Sequence, residues 1–62
     1  MNSTQIVSIL ESRITSLEYK KEMLQDELAM AKTTVRQIKL NASILGVDQE
    51  IKHLRAKKEQ YE

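Results

Sequence analysis

The sequence predicts an all-α protein: one long amphipathic coiled-coil helix, a tight turn and a short second helix, together an asymmetric helical hairpin that self-associates. Three observations predict it. Apolar residues recur at alternating spacings of three and four through most of the chain. Proline is absent and Gly46 is the only glycine. Gly46 is followed directly by Val47 and Asp48, a combination suited to ending one helix and starting another.

The first helix is expected over residues 3–45. Asn2 or Ser3 can cap its start, with Gln5 placed to complete a capping box from Asn2. Counted in heptads, position a carries Val7, Ile14, Lys21, Leu28, Val35 and Ala42, and position d carries Leu10, Leu17, Leu24, Ala31, Ile38 and Leu45. Lys21 is the one polar residue on this seam. β-Branched residues at a with leucine at d favour two parallel strands. In such a dimer Arg13 would face Glu18 of the other strand, and Glu27 would face Lys32. Each exposed pair contributes only about 0.3–0.5 kcal/mol, so an antiparallel dimer or a tetramer stays open.

The turn is expected at residues 46–47. Glycine suits the left-handed position just past a helix end, Val47 can pack back on the last turn, and Asp48 is a strong N-cap. The second helix is then expected over 48–61, with Glu50 in its first turn and Lys57 and Lys58 toward its negative end. Its apolar residues Val47, Ile51 and Leu54 would cover a weaker stripe on the first helix, Met30, Leu40 and Ile44. A second helix of about fourteen residues spans roughly 21 Å, against roughly 64 Å for the first. Most of the seam therefore calls for another chain. The alternative is a single long kinked helix, because an interior glycine costs only about 1 kcal/mol.

Composition narrows the function. The chain of 62 residues begins with Met1 and is expected to be a complete small protein, read as a single helical unit. Cysteine is absent, which removes disulfides and thiolate metal sites. Ten basic and nine acidic side chains leave a net charge of +1, unlike the basic footprint of a general nucleic-acid binder. The N-terminus has neither a basic start nor a continuous apolar run, and no stretch approaches the roughly 18 apolar residues of a membrane span. A cytoplasmic location without membrane contact is expected.

Catalytic chemistry finds no arrangement to carry it. His53 is the only histidine, and Glu50 one turn away makes a poor metal site, since zinc normally takes three or four protein ligands. Ser8, Ser12, Ser16, Thr33 and Thr34 have no base at a recognisable spacing. No enzyme activity, metal or cofactor is expected.

Two binding surfaces remain. Ile6, Ile9, Tyr19 and Met23 fall outside the seam, beyond reach of a short second helix, and could form a flank for a partner helix or be consumed by higher-order packing. Lys52, Arg55, Lys57 and Lys58 could contact phosphates, although lysines late in a helix also complement its dipole. The resulting expectation is a small non-enzymatic interaction module: an adaptor, co-chaperone or inhibitor. It would self-associate, as a dimer first and a tetramer second, and dock a helical or apolar segment of another protein. The alternatives are a nucleic-acid-binding regulator using the basic segment and a structural coiled-coil component of a larger assembly such as a virion.

Overall fold

The computed structural model describes residues 2–62 and contains two α-helices, α1 at Ser3–Met30 and α2 at Thr34–Glu59. They lie antiparallel along each other in a rod of 47 × 14 × 13 Å. The helical hairpin is as expected, and the capping box is present: Asn2 Oδ1 accepts from the Gln5 amide at 2.9 Å, while Gln5 Oε1 accepts from the Asn2 amide at 3.1 Å. The turn, however, lies at residues 31–33, not at 46–47, and the helix expected over 3–45 is two helices.

The turn forms without glycine. Ala31 leaves α1 in an extended conformation (φ −69°, ψ 129°), and Thr33 (φ −116°, ψ 147°) caps α2. The Thr33 hydroxyl accepts from the Arg36 amide at 3.2 Å, satisfying an amide that has no partner within the helix. Gln37 Nε2 donates to the Ala31 carbonyl at 3.2 Å, occupying an oxygen just past the end of α1. Thr33, Thr34 and Val35 are β-branched, and such residues are weaker in helix interiors than leucine or alanine. Heptad spacing crosses this break by coincidence of phase, which is why the seam reads as continuous from Leu28 through Ala31 to Val35.

Gly46 lies inside α2 with no positive φ, so it is not the turn residue. Asp48 is not an N-cap, since it lies fourteen residues into α2. The interior glycine is tolerated because Leu40 on one side and Val47 and Ile51 on the other are buried. Tertiary packing of an apolar face outweighs a local propensity cost of about 1 kcal/mol.

Relocating the turn changes what covers the seam. Helices of 28 and 26 residues span about 42 and 39 Å, so the two arms match in length. On α1, Ile14 and Leu17 are buried and Val7, Leu10, Leu24 and Leu28 are half-buried. On α2 the stripe is Leu40, Ile44, Val47, Ile51 and Leu54, again at alternating four and three. Ile14, Leu17, Val47 and Ile51 form the core cluster, with Leu24 and Leu54 packed against it. Val47, Ile51 and Leu54 therefore do not fold back on Leu40 and Ile44. All five share one face of α2, and that face meets α1. Met30 belongs to neither side of this core and is 72% exposed.

Candidate functional site: the outer faces of the hairpin

Charged residues along the two edges of the core pair between the helices. Arg13 pairs with Glu50 at 3.0 Å, Glu18 with Arg55 at 2.6 Å and Glu27 with Arg36 at 3.2 Å. Lys21 reaches Asp48 at 2.7 Å, and Lys58 reaches Glu11 at 3.3 Å. Arg13, Glu18 and Glu27, which suit a parallel dimer on sequence, are thus engaged within one chain. The Lys21 side chain keeps its stem at the seam while its ammonium extends to an edge, so no uncompensated charge is buried. These pairs are largely exposed, and each contributes at most about 1 kcal/mol. They join residues that the antiparallel hairpin already sets opposite one another.

The basic segment is partly occupied by this ladder. Arg55 is held by Glu18, and Lys58 by Glu11 and by Glu62 at 3.2 Å. The Lys58 ammonium is held above its ordinary pKa by hydrogen bonds to Glu62 and then Glu11, partly offset by desolvation. Lys52 and Lys57 are exposed and have no ion pair among the described residues. The four candidate phosphate contacts thus comprise two neutralised cations and two free ones.

Among the described residues, the groove beside Ile14 is lined by the charged side chains Glu11, Glu18, Arg55 and Lys58, which pair with one another. Glu50 is bound to Arg13, and Thr33 is committed to its cap. Among the described residues no group of three His, Cys, Asp or Glu side chains could hold a metal ion. Among the described residues no helix is long and apolar enough to cross a membrane.

The surface that remains conspicuous is apolar. On α1, Ile9, Tyr19 and Met23 are exposed as expected for a flank, while Ile6 is half-buried. Ile9, Met23 and Met30 are separated by multiples of seven, so they align along one helix line with Tyr19 beside it. On α2, Val35, Ile38 and Leu45, assigned by sequence to the self-association seam, are 62%, 63% and 58% exposed in the single chain. They form a second bare stripe with Ala42, away from the core. Reading the heptads as one helix joins this stripe to the Val7–Leu28 seam and misses the break between them. The signal that would have exposed it is the Thr33–Thr34 pair, which breaks the helix between Ala31 and Val35.

No family model, curated protein or solved structure matches this chain.

Proposed function

We propose that this protein is a small non-enzymatic interaction module, an adaptor, co-chaperone or inhibitor, whose hairpin presents apolar outer faces to other helices. The observation that carries this reading is the line of Ile9, Tyr19, Met23 and Met30 along α1, exposed although α2 runs the full length of the hairpin. Scattered exposed apolar residues mean little, but several aligned on one helix line suit helix-in-groove or helix-on-helix docking. Two methionines on that line provide adaptable packing. The hairpin's small core supports the same reading, because a two-helix unit without cysteine gains stability by covering its bare apolar faces.

The test is affinity capture from the cell that carries the chain, comparing wild type with Ile9→Glu/Met23→Glu. Both substitutions are at exposed helix positions, so circular dichroism should be unchanged. The expected result is a protein retained by wild type, lost with the double variant and insensitive to salt. Binding that weakens steeply with salt and depends on Lys52 and Lys57 would replace this reading with the nucleic-acid one.

A further inference from the structure

Resting on the reading of the chain as an interaction module, we propose that α2 packs against α2 of a second copy of this chain. The contact runs through Val35, Ile38, Ala42 and Leu45, and the two helices cross most closely at Ala42 and Gly46.

Gly46 is the first argument. It is the only glycine in the chain and sits in the interior of α2. Its φ is not positive, and a Cβ placed there would meet nothing within 4 Å. Neither the backbone nor the packing of its own chain asks for glycine, yet glycine costs about 1 kcal/mol against alanine in a helix. Gly46 lies one turn beyond Ala42 and next to Leu45, on the border of the bare stripe. How near two helix axes come depends on the side chains at the crossing. A hydrogen atom and a methyl group at that point let another helix come close, with Ile38 and Leu45 together along one edge.

Area is the second argument. A folded chain of 7.2 kDa exposes roughly 4,100 Å² by the usual scaling, whereas this hairpin exposes 4822 Å². The excess, about 700 Å², reflects the elongated shape of the hairpin and leaves bare surface on the scale of the roughly 800 Å² that each partner buries in a standard interface.

Charge is the third. A two-fold contact brings the same patch together with itself, so the patch must tolerate its own copy. Val35, Ile38, Ala42, Leu45 and Gly46 carry no charge, so the centre of the contact opposes no like charges, and the exposed Lys39 lies on its border. The product is a four-helix arrangement in which α1 of each copy stays on the outside, its flank free.

The experiment is light scattering behind a sizing column on the untagged full chain over a range of concentrations, with circular dichroism on each peak. Wild type should reach about twice 7.2 kDa. Gly46→Leu and Ile38→Lys should each weaken association at least about tenfold and stay helical, because both sites are exposed on an intact helix. Ile9→Glu/Met23→Glu should dimerise like wild type. A wild type that is monomeric throughout overturns the proposal. So does a Gly46→Leu protein that dimerises normally, as it would in a rod-like coiled coil, or a dimer lost only in Ile9→Glu/Met23→Glu. The functional reading fails separately: a dimer that behaves as described, with no captured protein sensitive to Ile9→Glu/Met23→Glu, rejects docking on α1 and leaves the α2 contact standing. Capture of such a protein by a monomeric wild type does the reverse.

Discussion

One continuous heptad stripe in the sequence has two fates in the fold. From Val7 to Leu28 it is covered by α2, and Ile14 and Leu17 are buried. From Val35 to Leu45 the same kinds of residue, in the same spacing, are bare. The difference is not hydrophobicity. It is that α2 has two apolar stripes and can turn only one of them toward α1. The stripe through Leu40, Val47 and Ile51 runs the length of the helix as far as Leu54, whereas the stripe through Val35, Ile38, Ala42 and Leu45 gives way to Gln49 and Lys52. The longer stripe matches the long seam of α1 and wins it. A regular apolar pattern therefore marks a surface to be covered without saying by what.

Substitutions across the two stripes break or sharpen this comparison. The largest effect should come from Leu17→Ala, about 2–5 kcal/mol of destabilisation read by denaturant unfolding, because Leu17 is 3% exposed in the core cluster. Leu45→Ala, measured at a concentration where the chain is monomeric, should stay within about 0.5 kcal/mol. Equal losses for the two would mean that both stripes are covered within the monomer and would break the comparison.

Thr33→Ala should come next, costing about 1 kcal/mol through loss of the α2 cap. Asp48→Ala removes only a half-exposed ion pair with Lys21 and should cost less. The reverse order would return the turn to Gly46. Gly46→Ala in the Ile38→Lys background should raise monomer stability by about 0.5–1 kcal/mol, since φ is helical and the space is open. A loss there would show that the glycine is needed by its own chain.

The smallest effect concerns the open end, where Lys58 bridges Glu11 and Glu62. Its pKa is raised on folding, so its contribution is fully present below the unfolded value of 10.5 and is lost as pH rises through the higher folded value. Thermal melts of wild type and Lys58→Met should differ slightly at neutral pH and converge above that range. A difference that grows with alkalinity contradicts the sign.

Much of this was legible in the residues. The helical class follows from spacing and from the near absence of glycine and proline. The Asn2–Gln5 box follows from local chemistry, as does the apolar flank of Ile9, Tyr19 and Met23 on a helix too regular to hide it. The turn was not legible as the strongest break. Gly46–Val47–Asp48 carries every local mark of a helix end, and Ala31–Lys32–Thr33 carries a single capping threonine.

Sequence alone determined that two amphipathic stripes exist and which residues make them, because side-chain direction in a helix depends only on spacing. Tertiary structure alone decided where the chain reverses and which stripe is spent on its own core. That choice compares whole arms. Folding at residues 31–33 sets 28 helical residues against 26, covers the long seam and forms five ion pairs across it, while folding at Gly46 would leave most of that seam in water. Burial summed over two matched helices outweighs a glycine's local preference of about 1 kcal/mol, and no window of a few residues contains that sum.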